Sequence, residues 1–257
     1  MSRISDAISE LHKLDMEAGK RGWLQGIHPL PKLLVTLFFL VLVVSYGKYD
    51  LSGLLVMGIY LIITFVLGDI SVKLLLKRMK IVLGLVCLMG IANPFFDREA
   101  VLILGSFAVT GGMVSAATLA VKGVFAVSAS YLLIVTTSVE DICYALRALR
   151  VPKIFVTVLL LVYRYIIVFL KEVERMTDAY ALRAPGQKGL NQKVWGTFAG
   201  QLLLRSMDRA QTVYDSMMMR GYNGEFYLRC KRSAERGDYL YAAGWSTALL
   251  LIRIIHF

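Results

Sequence analysis

Few residues in this chain are suited to soluble chemistry. Three cysteines, Cys87, Cys143 and Cys230, and three histidines, His12, His28 and His256, lie far apart. They offer neither a disulfide framework nor a repeated metal-ligand spacing. No G-x-x-x-x-G-K loop followed by Ser or Thr occurs, and no G-x-G-x-x-G turn, so ATP or dinucleotide binding by this chain has no support. Gly111-Gly112 is better read as a helix start or a close packing point. A metalloprotease histidine pair, a serine nucleophile elbow and a deaminase-like His and Cys cluster are missing too. Glu140-Asp141, Glu172 and Glu174 read as solvated helix charges, and the expectation is a chain without catalytic activity. Charge is scarce: 18% of the 257 residues are charged against 57% hydrophobic. At a mean hydropathy of +0.63, too little polar surface remains to cover a soluble fold. A membrane protein is the class this leaves.

The charge that is present is unevenly placed. Of 29 Lys and Arg and 18 Asp and Glu, giving +11, sixteen basic and ten acidic residues fall within 138–238. That stretch is polar enough to meet water. The basic residues lie beside long apolar faces rather than in a compact recognition module, so nucleic acid is not an expected partner. Residues 1–28 place Ile4, Ala7 or Ile8, Leu11 and Leu14 at helical spacing, an amphipathic segment. Asp6, Glu10, Asp15 and Glu17 stand where a secretory signal would need a basic and then an apolar stretch.

Residues 29–137 read as a transmembrane bundle of about four spans, at 29–46, 51–68, 81–96 and 111–137, with 239–257 as a last crossing. Lys32 snorkels at the entry to the first. Residues 101–110 are too short to cross and read as an outer surface excursion. Lys73, Lys77, Arg78 and Lys80 put the 69–80 connection, and with it the N-terminus, in the cytoplasm. Lys122 lies inside the fourth span. An intramembrane lysine is a functional-site candidate, or a cation that snorkels or meets helix-end carbonyls.

Residues 138–238 decide the architecture. A crossing at 151–170 would send most of the remaining basic residues outside, against the charge rule. Five spans follow, or six if that segment does cross. Val158, Val162, Tyr165 or Ile166, Phe169, Val173, Met176 and Tyr180 instead form one long stripe, a helix half against the bundle and half in the cytoplasm. Ala184-Pro185-Gly186 stops it. A second long helix, from about 194 to 220, carries Ala199, Leu203, Met207, Ala210, Tyr214 and Met217 on one face, with Arg205, Asp208, Arg209 and Asp215 largely off it. The fold class is thus all-α: a polytopic membrane helix bundle with long amphipathic cytoplasmic coupling helices. Arg183 and Arg220 stand near the ends of those helices. Each offers five rigid donors to a partner, with Met217, Met218, Met219 and Tyr222 as adaptable apolar contacts. Binding their own helix carbonyls or lipid phosphates is the alternative.

The stretch Gly200-Gln201-Leu202-Leu203-Leu204-Arg205-Ser206-Met207-Asp208-Arg209-Ala210, then Val213-Tyr214-Asp215-Ser216-Met217-Met218-Met219-Arg220-Gly221-Tyr222, resembles the transmembrane coupling subunits of energy-coupling-factor (ECF) uptake transporters. The resemblance is especially to the cobalt and nickel branch, the CbiQ family. Ala179-Tyr180-Ala181-Leu182-Arg183-Ala184 resembles the first of that family's two arginine signatures. The family has an Ala-Arg-Gly-like triplet at each. Here the triplets are Leu182-Arg183-Ala184 and Met219-Arg220-Gly221, so only the second keeps glycine.

The resemblance implies that these six residues meet the ATPases, supported by Arg205, Asp208, Arg209, Tyr214, Met217, Met218 and Tyr222. It implies two copies of a cytoplasmic ABC-type ATPase that hold ATP and Mg. It also implies a membrane substrate-binding subunit that holds the transported Co2+ or Ni2+ and, in some assemblies, a small accessory membrane subunit. The chain itself would bind no cofactor and would sit in the cell's inner or plasma membrane. A self-sufficient small-solute channel or secondary transporter using Lys122, Asn93 and Ser115, and a basic lipid-binding scaffold or membrane enzyme, are the competing readings.

Overall fold

The computed structural model describes residues 9, 22, 24–47, 50–68, 75, 76, 79, 84, 100–104, 107–186, 189, 191–224, 226 and 235–255. The expected N-terminal amphipathic segment, the 69–80 connection and the third span at 81–96 lie almost wholly outside them. In chain order the elements are α1 (Pro29–Ser45), α2 (Leu51–Gly68), β1 (Ala100–Leu104), β2 (Phe107–Thr110), α3 (Gly111–Thr136), α4 (Val139–Ala148), α5 (Lys153–Arg183), a 3-10 turn (Gln192–Val194), α6 (Trp195–Met219) and α7 (Arg236–Ile255). The protein is a helical membrane bundle. One departure from an all-helical chain is the excursion expected at 101–110, which pairs as an antiparallel hairpin, Leu104 opposite Phe107. Val, Ile, Leu and Phe suit paired strands, and ten residues are too few to cross a bilayer as helix. The chain forms two compact units, one of residues 17–138 with 230–257 and one of 139–229 with 1–16.

In the first unit, α1 and α2 each pack on both α3 and α7. Pro29 sits in the first turn of α1, where its missing N–H costs nothing, and the His28 side chain accepts from Leu30 N at 3.3 Å. α2 buries Leu54, Met57, Tyr60, Leu61 and Thr64 and exposes Leu55, Ile59, Ile62, Ile63 and Val66. A helix apolar on both sides belongs in lipid. α2, residues Val114–Thr136 of α3, and α5 are long and apolar enough to cross a membrane, and α1 is a shorter apolar helix. Hydroxyls inside these helices bond back to their own backbone, Thr36 to Lys32 O at 2.8 Å and Thr64 to Tyr60 O at 2.7 Å. That satisfies them where water is excluded. Phe39, Tyr60 and Trp245 pack across α1, α2 and α7, the first pair tilted and the second edge to face, with successive ring centroids 4.8 Å apart. Gly58 makes room for Phe125, since a Cβ there would lie 2.9 Å from the ring's Cζ.

Three cations donate to helix-end carbonyls in this unit. Lys122 Nζ, from α3, donates to Val44 O at 3.3 Å and Tyr46 O at 2.6 Å. Arg253, from α7, donates to Ser45 O at 3.2 Å and lies 4.3 Å from the centroid of the Tyr46 ring. In return Lys32, near the start of α1, donates to Thr136 O at the end of α3 at 3.0 Å. The last carbonyls of a helix have no partner within it and carry its negative pole. Lysines on α1 and α3 therefore neutralise each other's C-termini. Lys122 meets helix-end carbonyls.

In the second unit, α4 packs on α5 through Cys143, Val156 and Leu160. Arg147 donates to Phe226 O at 3.2 Å. α4 closes in a Schellman motif, Val151 N to Leu146 O at 3.2 Å and Arg150 N to Arg147 O at 3.0 Å. The left-handed position of that motif, φ 63°, is held by Arg150 rather than glycine.

Candidate functional site

α5 runs unbroken for 31 residues. At its end Ala184 N donates to Tyr180 O at 3.0 Å, and Pro185 cannot continue the ladder. Ala184 has φ −126°, so this end needs no glycine at that residue. The left-handed turn falls later, at Gly186, φ +93°. α6 begins behind the 3-10 turn, where the Asn191 side chain accepts from Lys193 N at 3.1 Å. It ends in a full Schellman motif. Tyr222 N reaches Met217 O and Gly221 N reaches Met218 O, both at 3.0 Å, with Gly221 at φ +79°. The two triplets thus differ in sequence because the chain leaves the two helices differently.

α5 and α6 pass each other in opposite directions. The first half of α5, with the C-terminal half of α6 and Tyr222, lines an apolar groove of ≈ 510 Å³; Tyr165, Phe169, Val213, Tyr214 and Met217 face it. Further along α5, Lys171, Glu172 and Arg175 meet Arg205, Asp208, Arg209 and Thr212 in a polar cleft. There Glu172 pairs with Arg205 across the helices and with Arg175 along its own, at 3.7 Å. From this crossing Arg183 lies about 16 Å up α5 and Arg220 about 22 Å along α6, at 1.5 Å per residue. The arginine ends therefore point to opposite sides of the crossing.

Arg209, Tyr214, Met217 and Tyr222 are brought together in the apolar groove, and Arg205, Asp208 and Arg209 in the polar cleft. Leu182, Arg183 and Ala184 are not brought together with Met219, Arg220 and Gly221. Each triplet is a separate tip, with Leu182 and Met219 both 84% exposed. Arg183 and Arg220 are exposed and have no side-chain partner among the described residues. Met218 is exposed beside the second tip. Glu172 is a member of the crossing that its sequence neighbourhood did not single out. Its partner is 33 residues away, so no local spacing reveals it. Among the described residues no three His, Cys, Asp or Glu side chains converge as a metal site.

Apolar helices fit to cross a bilayer, together with an amphipathic α5–α6 pair whose crossing carries charged side chains, define a polytopic membrane protein. Residues 20–228 match the CbiQ model, described as cobalt transport protein, and the chain belongs to that family. It is 27% identical over 214 residues, 79% of this chain and 73% of the relative, to an uncharacterized protein of Methanocaldococcus jannaschii. A putative fused cobalt transport protein, CbiMQ, of Methanocorpusculum labreanum is 30% identical over 97 residues, 37% of this chain and 16% of the relative. The nickel permease LarQ of Lactiplantibacillus plantarum is 27% identical over 105 residues, 41% of this chain and 38% of the relative.

Proposed function

We propose that this chain is the transmembrane coupling subunit of an ECF-type importer of cobalt or nickel ions. It passes ATP-driven motion from two cytoplasmic ABC-type ATPases to a membrane substrate-binding subunit and performs no catalysis itself. The observation that carries this reading is the pair of exposed arginine tips on one antiparallel helix crossing, pointing apart. Tips on opposite sides suit two separate grooves, one on each ATPase copy. A planar guanidinium can engage a carboxylate or carbonyls there in a fixed geometry. ATPase closure moves the tips only if they bind the open and closed states unequally, since equal affinity shifts nothing. We assign the ion's ligands to the substrate-binding subunit, and place α4–α6 and the N-terminus in the cytoplasm by the charge bias.

The channel reading rests on Lys122, whose ammonium donates to Val44 O in the last turn of α1 and to Tyr46 O just past it. The deciding experiment co-expresses the chain with its ATPases and substrate-binding subunit and measures complex recovery and ATP-dependent cobalt and nickel uptake. Arg183→Ala and Arg220→Ala each reduce both, and the double variant reduces them further, at normal membrane insertion. Unchanged recovery and uptake in the double variant rejects the docking roles. Ion flux through the chain alone in liposomes supports a channel instead.

A further inference from the structure

The turn joining α4 to α5 presents a surface that borders the apolar groove, which Ile154 also lines, and holds none of the arginine-tip residues. From residue 142 to 171 the chain holds Arg147, Arg150, Lys153, Arg164 and Lys171 and no carboxylate. At the turn itself large apolar side chains face outward: Ile154 is 71% and Phe155 69% exposed, with Leu149 and Leu159 exposed beside them. Arg150 is exposed and has no side-chain partner among the described residues.

Arg150 also occupies the one left-handed non-glycine backbone position among the described residues, φ 63°. Its Schellman bonds match those of α6, where Gly221 fills the same place. A side chain there strains the backbone, and glycine would relieve it. Strain kept at an exposed arginine, within a carboxylate-free run and beside exposed Phe and Ile, has the chemistry of an anionic bilayer contact. Apolar groups enter the boundary between headgroups and acyl chains while cations meet phosphates.

We propose that the α4–α5 turn is an anchor for acidic phospholipid, with Arg150 on the headgroup phosphate and Ile154 and Phe155 in the acyl boundary. This inference does not depend on ATPase docking and uses none of the arginine-tip residues. The test places the full chain in nanodiscs of phosphatidylcholine with phosphatidylglycerol and counts retained lipids by native mass spectrometry. Wild type retains phosphatidylglycerol preferentially. Arg150→Gly cuts that preference about fivefold while its melting temperature rises, since the strain is released. Phe155→Ser lowers retention too, and Arg175→Gln, at the polar cleft, does not. A wild-type preference in Arg150→Gly overturns the proposal, as does a lowered melting temperature, which would make Arg150 a structural residue. Loss of phosphatidylglycerol to added inorganic phosphate marks a free-anion site and also overturns it. So does an Arg150→Gly variant that keeps its lipids but fails to join partner subunits, because the surface would then belong to a protein contact.

Discussion

Gly221 and Ala184 follow the two arginines, and their backbones set different tolerances. Gly221 needs φ +79°, so Gly221→Ala costs about 1–2 kcal/mol, read as a lower melting temperature of the detergent-solubilised chain. Ala184, at φ −126°, gains no relief from glycine, and Ala184→Gly changes stability by under ~1 kcal/mol. Both stops were legible in the sequence, because Pro185 and Gly221 are local signals. Helix-end carbonyls were one sequence reading of Lys122, but which helix supplies them was not legible, because the acceptors at the α1 C-terminus, Val44 O and Tyr46 O, lie 78 and 76 residues away. Lys122→Met strips two carbonyls at the C-terminal end of α1 of their donor and costs about 1–2 kcal/mol, and Lys122→Arg retains most of that stabilisation. If Lys122→Met instead left the melting temperature unchanged and abolished ion flux, a transport role for this lysine would stand.

At the scale of elements, the apolar stripe of α5 was readable over its whole length because 3.6-residue periodicity survives the change from apolar to charged surroundings. The pairing of α5 with α6 was not. Periodicity says which face is apolar, while the choice of partner depends on tertiary contacts such as Glu172 with Arg205. That pair lies on a half-exposed surface, so it contributes little to stability, about 0.2–1 kcal/mol, but it fixes which residues oppose each other. Glu172→Arg and Arg205→Glu singly shift the separation of spin labels on the outer faces of α5 and α6, and the exchanged double variant restores it. Restoration failing while both singles fold would show that the crossing is set by the apolar groove alone. In α7, Leu249 is fully buried and Leu251 is 58% exposed. Leu249→Ala costs about 2–5 kcal/mol by leaving a cavity. Leu251→Ala, which faces outward, alters the melting temperature far less.

At the scale of the whole molecule, α5 decides between five and six crossings. Its first half is apolar enough to cross a bilayer. From Lys171 onward it carries Glu172, Glu174, Arg175, Asp178 and Arg183, charges that a hydrocarbon core does not tolerate. A crossing would also strand the basic residues after Lys171 on the outer side. The proposed coupling role predicts that both ends of α5 face the cytoplasm. Single cysteines at Leu149 and Leu182, in a chain with Cys87 and Cys230 replaced by alanine, test this with a membrane-impermeant maleimide on intact cells and on inverted vesicles. Cys143 can stay, because its side chain is buried, and burial, followed by the nearby Glu140 charge, raises its thiol pKa, so little thiolate forms. Both sites react in inverted vesicles and neither in intact cells if α5 lies along the inner face. Labelling from opposite sides would make α5 a sixth span, and the arginine tip at its end could then no longer reach a cytoplasmic ATPase.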